Sequence, residues 1–591
     1  MALSHWPRLW RTTSHLRWSQ ATYRLLRQLR SRLPKETAAH RPAPNIPELD
    51  PAAPDYAHRL NDISAPSLST DHSCRRLVST LQQGGLRLLN QTHLFDRRSP
   101  DWRLGDRSEN RLWSVTLHYH AWLFELAQII LGEDPAAEQA EALLHSHLED
   151  WLARCDLDRP GSEALAWNSY AIATRLGWWA RLWHLLGTSY WQRHQHLRRD
   201  FLDSMWRQAR HLHAHLEWDL RANHLLRDAV GLAWAGTFFQ GREPDIWRKT
   251  SDQLASEQLH EQVFADGGHF ERSVDYHLQV MNDWLALANL TRDSDLRRKL
   301  LGTWERMAEY ALWLRHPDGG SVQFNDGAVR EVERCLNDGM QLGLNANLSP
   351  RRGGRYFVDT GLVAWHGHPW TVFFDVGEIG PDYQPGHAHA DSLTLECSWN
   401  SERLFIDPGT YHYDHDGRRQ YDRSTAAHNT VCIDGQDSSE VWHIFRVGRR
   451  ARPVDVRVAI GEDQLDAAGS HTGYDHLAGS PRHSRQIRTE FEDRLAIEDR
   501  VEGRGEHLVE GGWLLSPVWQ ATVDQDGWTV RSESQTLRVQ VSGSSEISLS
   551  CQERPIHPDF GVEQTTTRLA WRYRGRLPLK LQTTIQSACG A

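Results

Sequence analysis

The chain has 591 residues, and its formal net charge of -10 at pH 7 disfavours a nucleic-acid-binding protein. Its 27 tryptophans are typical of a globular protein and exclude a disordered polar chain. The 7 cysteines are scattered and form no CxxC pair, which fits neither a disulfide framework nor a thiolate zinc site. Any metal ion would therefore be held by histidines and carboxylates.

The N-terminal segment, residues 1–75, combines a basic stretch with a connector. The basic stretch is rich in arginine, contains interleaved tryptophans and has no acidic residue before Glu36. A helix of this kind lies either on an anionic membrane surface or against its own domain, and the sequence does not separate these alternatives. Residues 36–70 are rich in proline and predict an extended connector.

No apolar run is long enough to span a bilayer, so no transmembrane segment is expected. The basic stretch also lacks the apolar core and cleavage site of a secretion signal. We therefore expect a cytoplasmic or membrane-peripheral protein, with the periplasm as the alternative.

Residues 76–345 have the pattern of a helical domain. Segments such as SENRLWSVTLHYHAWLFELAQIIL and NHLLRDAVGLAWAGTFFQG place apolar residues at helical spacing and are separated by short polar breaks. Because no βαβ alternation occurs, this half is predicted to be all-helical. We expect most of its tryptophans to fill spaces between helices, whereas Trp167 and Tyr170 are candidates for stacking on a sugar ring.

Residues 355–591 show a different pattern. Short alternating segments such as PWTVFFDVG, RLFIDPG and TLRVQVSG recur between Gly, Asp, Asn and Pro breaks. They predict a large antiparallel β-sandwich. The fold class is therefore a multidomain α+β protein, with a helical domain followed by a β-sandwich.

The stretch GPDYQPGHAHAD is the most unusual in the chain. If HAHAD opens a strand, His387, His389 and Asp391 share one face, because side chains alternate along a strand. Asp407 and His428, arriving from neighbouring strands, would complete a set of ligands that zinc accepts. Histidines satisfied by buried hydrogen bonds are the alternative interpretation.

Two further motifs place polar groups near helix starts. Asn223 and His224 open the helix of NHLLRDAVGLAWAGTFF, and Tyr276 follows the Gly-Gly turn of DGGHFERSVDYH. Polar groups at a helix N-terminus are well placed to meet an anion. Plain helix capping and burial are the alternative interpretation for each motif.

As a set, these motifs resemble the heparinase II/III family of polysaccharide lyases, and more closely its heparinase III-like branch. The resemblance runs in order through LLNQTHLF, DWRLGD, LWSVTLHYHAWL, WNSYAIATRLGWW, NHLLRDAVGLAWAGTFF, DGGHFERSVDYH, FNDGA and the block ending FRVGRRARP. It implies an (α/α) toroid followed by an antiparallel β-sandwich. It also implies cleavage of a uronate-containing glycan, heparan-sulfate-like or a bacterial exopolysaccharide, by β-elimination.

The resemblance assigns catalytic roles to the motif residues. Asn223, with His224 beside it, faces the uronate carboxylate. Tyr276 acts as the base, as the acid that protonates the leaving oxygen, or as both, and His387 is its acid/base partner. Since a tyrosine has an ordinary pKa near 10, it acts as a base only where its surroundings favour the phenolate.

The resemblance also implies a structural zinc ion held by His389, Asp407 and His428. This assignment reserves His387 for catalysis and leaves Asp391 a structural residue, with a fourth-ligand role as the alternative.

A local basic patch interrupts the acidic chain, and an anionic polysaccharide would require such a patch. Its leading members are Arg418, Arg419 and Arg423. Ordinary solvated loop charge is the alternative interpretation.

Two other functions remain open from the sequence. One is an (α/α)-toroid glycoside hydrolase, which needs a carboxyl pair about 5–10 Å apart. The available carboxyl groups are those of Glu163, Asp228, Asp266 and Glu271. The other is a non-catalytic protein that binds exopolysaccharide or assists its biosynthesis. Only β-elimination leaves an unsaturated, ultraviolet-absorbing uronate end.

Overall fold

The computed structural model describes residues 6–30, 48–50, 71–95, 99–104, 110–132, 134–159, 162–461, 463–490, 493–543 and 546–588. Most of the predicted connector therefore lies outside the described residues. Within these ranges, no helix is both long and apolar enough to cross a membrane.

The N-terminal half is helical, as predicted. Its helices are α1 (Trp6–Thr13), α2 (Trp18–Arg30), α3 (Asp71–Gln82), α4 (Arg111–Leu117), α5 (Ala121–Leu131), α6 (Ala137–Arg154), α7 (Ser169–Arg193), α8 (Gln195–Ala214), α9 (Ala222–Phe238), α10 (Arg242–Gln262), α11 (Val274–Leu290), α12 (Ser294–Trp313) and α13 (Val332–Gln341). Helix α9 is buried along nearly its whole length and packs against α7, α8, α10 and α11. An apolar sequence on every side suits a helix at the centre of a helical domain.

One element of this half was not predicted. Strands β1 (Gly85–Leu88) and β2 (Gln91–Leu94) form a two-stranded hairpin. Its turn residues Leu89 and Asn90 have φ angles of 48° and 60°. Such left-handed angles match the twist of paired strands, but a Leu-Asn turn carries a weaker sequence signal than Asn-Gly.

The C-terminal half consists of antiparallel sheets. The five-stranded sheet has the order β3-β4-β5-β6-β7, the eight-stranded sheet β11-β12-β13-β14-β21-β18-β17-β16, and the four-stranded sheet β19-β20-β15-β8. The strands are β3 (Gly353–Phe357), β4 (Leu362–His366), β5 (Trp370–Asp375), β6 (Leu395–Trp399), β7 (Glu402–Phe405), β8 (Cys432–Ile433), β9 (Val441–Trp442), β10 (Arg446–Val447), β11 (Pro453–Ile460), β12 (Leu465–His471), β13 (Arg482–Glu490), β14 (Arg494–Glu502), β15 (Glu506–Leu514), β16 (Gln520–Val523), β17 (Gly527–Arg531), β18 (Thr536–Gly543), β19 (Ser548–Ile556), β20 (Gln564–Arg576) and β21 (Leu579–Ser587).

The three large sheets bury their inner faces in one apolar core. Trp370 of β5, Trp513 of β15 and Trp528 of β17 each come from a different sheet and all belong to this core. Face-to-face packing of antiparallel sheets is the sandwich arrangement. The predicted fold class, a helical domain followed by an antiparallel β domain, is confirmed.

HAHAD does not open a strand, so the condition under which its side chains would share one strand face is not met. Residues 387–391 form an irregular segment, and β6 begins only at Leu395. The backbone of this segment bonds to loops and side chains instead of to a neighbouring strand: His389 N donates to Asn325 Oδ1 at 2.9 Å, and Ala390 N donates to Arg423 O at 2.9 Å. The two histidines nevertheless reach a common partner.

Candidate active site

The candidate active site lies between the two domains. The helical domain contributes the first turns of α9 and α11 and the loop 321–331. The β domain contributes the loop 380–391 and the short helix α14 (Gly417–Asp422). Residues of these segments, together with Tyr413, form one cluster that is held by hydrogen bonds and ring contacts.

At the centre of the cluster, the ring of Tyr276 lies against that of His387. The ring centroids are 3.7 Å apart and the interplanar angle is 25°. The Tyr276 hydroxyl is 2.8 Å from the hydroxyl of Tyr413, and the two form a hydrogen bond. Ser273 caps α11 by accepting a hydrogen bond from Tyr276 N at 3.2 Å, which fixes Tyr276 in the first helical turn.

The carboxylate of Asp326 organises the other side of His387. It lies 3.0 Å from His387 Nδ1 and 2.8 Å from His389 Nε2, and Arg419 binds it with both guanidinium nitrogens. Burial alone would raise the pKa of Asp326, but Arg419 and the two imidazoles hold that pKa well below its usual range. An ionised Asp326 can accept a hydrogen bond only from a protonated His387 Nδ1 and thereby orients the ring.

The FNDGA loop presents Asp326 through an unusual backbone. Asn325 has a φ of 64°, a left-handed angle that Asn tolerates better than most residues, and its amide donates to Arg272 O at 3.1 Å. Gly327 has a φ of 151°, and a Cβ at this position would lie 2.5 Å from Asp275 Cβ. The motif therefore needs both its Asn and its Gly to direct Asp326 into the site.

Asn223 joins the cluster through Glu271. The Glu271 carboxylate accepts a hydrogen bond from Asn223 N at 3.3 Å and lies 3.5 Å from His387 Nε2. The Asn223 side chain is not the helix cap, because Arg221 occupies that position in α9. Asn223 Oδ1 is buried, and no described residue bonds to it. An unsatisfied amide in this position favours the functional interpretation of Asn223 over simple capping.

The surroundings of His224 favour its protonated form. Its Nδ1 lies 3.1 Å from the Glu217 carboxylate, and its ring contacts that of Tyr170, with centroids 4.9 Å apart. Burial lowers the pKa of His224, but the Glu217 charge and hydrogen bond outweigh burial, so the pKa is raised. A protonated imidazole at the N-terminal end of α9 adds its charge to the positive end of the helix dipole.

Backbone strain accompanies these site residues. Arg221 and Ala222, directly before Asn223, have φ angles of 60° and 53°, and Arg272, directly after Glu271, has 59°. Non-glycine residues in this region are strained and persist where the surrounding structure holds them.

The hydroxyl of Tyr276 is neutral in this environment. Burial, the neighbouring Tyr413 and the Asp326 charge together hold the pKa of Tyr276 well above its usual range. A phenol of this kind keeps its proton, so it is available as a proton donor and no phenolate is present to act as a base.

The predicted zinc ligands also converge. His389, Asp407 and His428 are all buried, and one donor atom of each lies within 4.8 Å of the others. Asp407 Oδ2 already contacts His428 Nδ1 at 2.8 Å. Several buried atoms here have no hydrogen-bond partner among the described residues, namely His389 Nδ1, His428 Nε2 and both carboxylate oxygens of Asp391. Burial lowers the pKa of His389 to about 4, so its imidazole is neutral, as a metal ligand must be.

This chemistry fits a zinc ion. Two imidazoles and a carboxylate are a donor set that zinc accepts, and buried polar atoms without a partner are otherwise costly. Asp391 interacts electrostatically with His428 and Asp407, which makes it the candidate for a further ligand. Burial raises the pKa of Asp391 to about 6.

Of the two aromatic residues predicted to bind substrate, one lies at the site and the other does not. Tyr170 lies at the site beside His224. Trp167 does not: only 2% of it is exposed, and its indole N–H donates to Cys155 O at 2.7 Å within the helical core. A ring packed on all sides has no free face for a sugar, so Trp167 belongs with the structural tryptophans.

The basic patch is mostly internal. Arg419 and Arg423 are each 1% exposed, so neither presents its charge to a polymer. Arg419 binds Asp326, while Arg423 donates to backbone carbonyls of the loops around it, including Ala388 O at 3.0 Å. Arg418 is on the surface, where it pairs with Glu563 at 2.8 Å. Two of the three arginines are therefore buried residues that hold the loops of the site in place.

Sequence reasoning missed three residues of the cluster, namely Asp326, Tyr413 and Phe445, and considered Glu271 only as a hydrolase carboxyl group. Asp326 lies in the FNDGA motif, which therefore carried a usable signal. Phe445 is 42% exposed, and its ring centroid lies 6.2 Å from that of His387 and 5.1 Å from that of Tyr413. Nothing in a single sequence distinguishes this exposed ring from the other aromatic residues.

Family models match almost the whole chain. The heparinase II/III N-terminus model matches residues 19–343, and the heparinase II/III-like C-terminal model matches residues 349–587. Among curated proteins, the heparin-sulfate lyase of Bacteroides stercoris is 24% identical over 273 residues, which are 41% of this chain and 40% of that protein. The heparin-sulfate lyase of Bacteroides thetaiotaomicron is 23% identical over 442 residues, covering 66% and 60%. The chain thus spans less than two thirds of the length of these relatives.

Solved structures show the same fold at low sequence identity. A crystal structure of heparinase III has a TM-score of 0.73 and 17% identity, with 91% of this chain and 89% of the other covered. A chondroitin AC lyase from Streptomyces coelicolor has a TM-score of 0.59 and 10% identity, with 91% and 83% covered. From the two family models and the shared fold, this chain belongs to the heparinase II/III family.

Proposed function

We propose that this protein is a polysaccharide lyase that cleaves a uronate-containing glycan by β-elimination. The observation that carries the proposal is the cluster in which Tyr276, His387 and Asn223 are joined through Glu271 and Asp326. Curated relatives are named heparin-sulfate lyases, which supports an anionic polysaccharide as the substrate.

The first requirement of the reaction is to neutralise the uronate carboxylate, because the C5 proton is only weakly acidic. Asn223 and the protonated His224 supply an amide donor and a positive charge at the start of α9. Preorganised donors of this kind contribute about 3–4 kcal/mol to stabilisation of a developing negative charge. Tyr170, in contact with His224, lines the same place.

His387 then acts as the base. Its Nδ1 is hydrogen-bonded to the Asp326 carboxylate, so Nε2 is the ring nitrogen that would take the C5 proton. Tyr276 acts as the acid, because its neutral hydroxyl protonates the departing 4-O-linked sugar. The C5–H and C4–O bonds break, and a C4=C5 double bond forms. His387 gains one proton from C5 and Tyr276 gives one proton to the leaving oxygen. Transfer of a proton from His387 back to Tyr276 then restores the starting state of the site.

The glycoside hydrolase alternative finds little support. Asp228 is completely buried and accepts a hydrogen bond from Glu217 N at 2.7 Å. Asp266 is bound to Thr360, whose backbone N–H and hydroxyl donate to it at 2.9 and 3.0 Å. Of the three candidate carboxyl groups whose side chains the structure describes, only Glu271 belongs to the cluster. A hydrolase would need two across a cleft.

We further propose that His389, Asp407 and His428 hold a structural zinc ion. The unpaired buried atoms His389 Nδ1 and His428 Nε2 support this proposal. The ion would crosslink the segments that carry these residues and would take no direct part in the elimination. Because His389 also contacts Asp326, the crosslink would stabilise the base from the β-domain side.

A contact of the N-terminal helices with an anionic membrane is a separate proposal. Trp6, Trp10 and Trp18 are 69%, 71% and 90% exposed on the outer side of α1 and α2. Exposed tryptophans on a basic helix are typical of interfacial binding. The test is co-sedimentation with phosphatidylglycerol vesicles and with phosphatidylcholine vesicles. Binding only to the anionic vesicles, abolished by Trp18→Ala with Trp10→Ala, supports the contact; no binding to either overturns it.

Ultraviolet absorbance tests the enzymatic proposal. The protein is incubated with heparan sulfate, heparin, alginate, hyaluronan, chondroitin and a bacterial exopolysaccharide. A rise in absorbance on one of them, with an unsaturated uronate at the new end, supports elimination and identifies the substrate. New reducing ends without absorbance would support hydrolysis instead, and binding without cleavage would support the accessory-protein alternative.

A further inference from the structure

The N-terminal strap, which we define as residues 6–30, lies against both domains. On the β domain, Arg8 and Arg11 donate to the Glu440 carboxylate at distances of 2.7–3.0 Å. Trp442 donates its indole N–H to Thr12 Oγ1 at 3.1 Å. These contacts attach the α1 end of the strap.

The α2 end of the strap is attached to the helical domain. Tyr23 stacks on Trp218, with ring centroids 5.8 Å apart and an interplanar angle of 24°. Arg24 donates to Asp219 O at 3.5 Å. The strap therefore crosses from one domain to the other beside the candidate active site.

Gln20 is the residue of the strap that touches both domains at once. Its Nε2 donates to Asp219 O at 3.3 Å and to Tyr383 O at 3.2 Å, and its Oε1 accepts from Arg17 N at 3.0 Å. Gln20 has an exposure of 0%, whereas most of the strap is exposed. A buried amide with all three of these bonds made is a specific feature of the interface.

The two carbonyls that Gln20 joins belong to the loops that carry the acting groups. Asp219 lies in the segment that leads to Asn223, and Tyr383 lies in the segment that leads to His387. One segment belongs to the helical domain and the other to the β domain. Their separation sets the distance between the carboxylate-binding group and the base.

A charged contact reinforces the same junction. The Glu261 carboxylate receives hydrogen bonds from Tyr383 at 2.5 Å, from Arg17 at 3.0 Å and from Arg221 at 3.0 Å. The Arg17 guanidinium also lies over the Tyr383 ring, 3.8 Å from its centroid. The strap, the helical domain and the β domain thus meet at one carboxylate.

The segment before Asn223 needs this support. Arg221 and Ala222 both have left-handed φ angles, which non-glycine residues keep only when neighbouring contacts hold them. Gln262 binds Ala222 O at 2.8 Å from within the helical domain. The contacts that Gln20 makes with Asp219 and Arg17 makes with Glu261 come from the strap, outside the helical domain.

We propose that Gln20 is a positioning residue that holds the Asn223 segment and the His387 segment at their working separation. The strap is then part of the active-site architecture and more than a surface extension. The consequence for activity rests on the proposed lyase function, whereas the coupling of the two segments does not.

The experiment compares Gln20→Met, which keeps the length of the side chain but removes its amide, with Thr12→Val, which removes the strap contact to Trp442 and leaves the bonds of Gln20 in place. In Gln20→Met we expect kcat to fall about 10- to 100-fold while KM changes by less than about threefold, as for a small misplacement of reacting groups. Thr12→Val should leave both constants unchanged. A Gln20→Met enzyme with unchanged kcat would overturn the proposal.

Hydrogen exchange provides a readout that needs no substrate. Backbone amides of residues 217–224 and 381–391 should both lose protection in Gln20→Met and keep it in Thr12→Val. Loss confined to the strap would overturn the proposal even if the wild-type protein cleaved no polymer. If Gln20→Met unfolds globally, Gln20→Glu replaces it, because an ionised carboxylate has no hydrogen to donate to the Asp219 and Tyr383 carbonyls. Both segments should then lose protection at neutral pH, and unchanged protection would also overturn the proposal.

Discussion

The Tyr276 and His387 rings are stacked with their centroids 3.7 Å apart, although one belongs to the helical domain and the other to the β domain. Docking of the two domains therefore creates the proposed acid/base pair, and neither domain contains it alone. Asp326 is hydrogen-bonded to His387 Nδ1 at 3.0 Å, and the Tyr413 hydroxyl is hydrogen-bonded to that of Tyr276 at 2.8 Å.

Loss of the Asp326 charge should lower both stability and activity, and a second substitution should recover only the stability. Asp326→Asn leaves Arg419 buried without its carboxylate, which costs about 3–5 kcal/mol of unfolding free energy. Adding Arg419→Met removes the unpaired cation and should recover much of the loss, as measured by urea unfolding. Activity should stay low in both variants because His387 Nδ1 has lost its carboxylate. Full activity in the double variant would contradict the role of Asp326.

The charge on His224 predicts an alkaline limb in the pH profile. The pKa of His224 is raised by Glu217, so its cation, and the stability that the pair contributes, is present below the unfolded pKa of about 6.5 and is lost as pH rises through the higher folded pKa. Glu217→Gln should shift the alkaline fall of kcat/KM to lower pH. The measurement is kcat/KM against pH for both proteins. An identical profile would mean that His224 does not act as a cation.

The zinc content of the purified protein is predicted to depend on His428. His428→Ala should lose the bound metal and unfold at lower temperature, because a ligand at about 100–1,000 times its Kd stabilises a fold by about 3–4 kcal/mol. His260→Ala, at an exposed position on α10, is the matched control and should retain both. The measurements are elemental analysis and calorimetry of proteins purified in parallel. Equal metal content in the two variants would exclude this site.

Phe445 is predicted to bind a sugar ring at the mouth of the site. Its ring is 42% exposed and lies beside those of His387 and Tyr413, and an exposed aromatic ring can stack on a pyranose. Phe445→Ala should raise KM several-fold with a smaller change in kcat, whereas Phe445→Trp should keep KM near that of the wild type. A fall in kcat with unchanged KM would assign Phe445 a different role.

Much of the fold follows from sequence periodicity. Helix α9 was predicted from its apolar pattern, and strands such as β5 and β18 from short alternating runs. The β1–β2 hairpin was missed because its Leu-Asn turn lacks glycine. The strand considered for HAHAD does not form, since the backbone of this loop bonds to Asn325 and Arg423 instead of to a neighbouring strand.

The site was less accessible to sequence reasoning because its contacts join distant segments. Arg419 and Arg423 have the composition of a surface patch, but their partners are Asp326 and the backbone of neighbouring loops. Trp167 has the residue type of a sugar platform but is enclosed by the helical core. Residue type identified the chemistry available, whereas burial and partnership decided which groups face the cleft.

The most direct test of the lyase proposal compares Tyr276→Phe with Tyr413→Phe on a polymer that the wild-type protein cleaves. Both substitutions remove one hydroxyl of the same hydrogen bond, but it is Tyr276 that stacks on His387, with ring centroids 3.7 Å apart. Ultraviolet absorbance should show a loss of about 10²–10⁴-fold in kcat for Tyr276→Phe, as expected for a general acid, and a smaller loss for Tyr413→Phe. Wild-type rates of elimination in Tyr276→Phe would contradict the account.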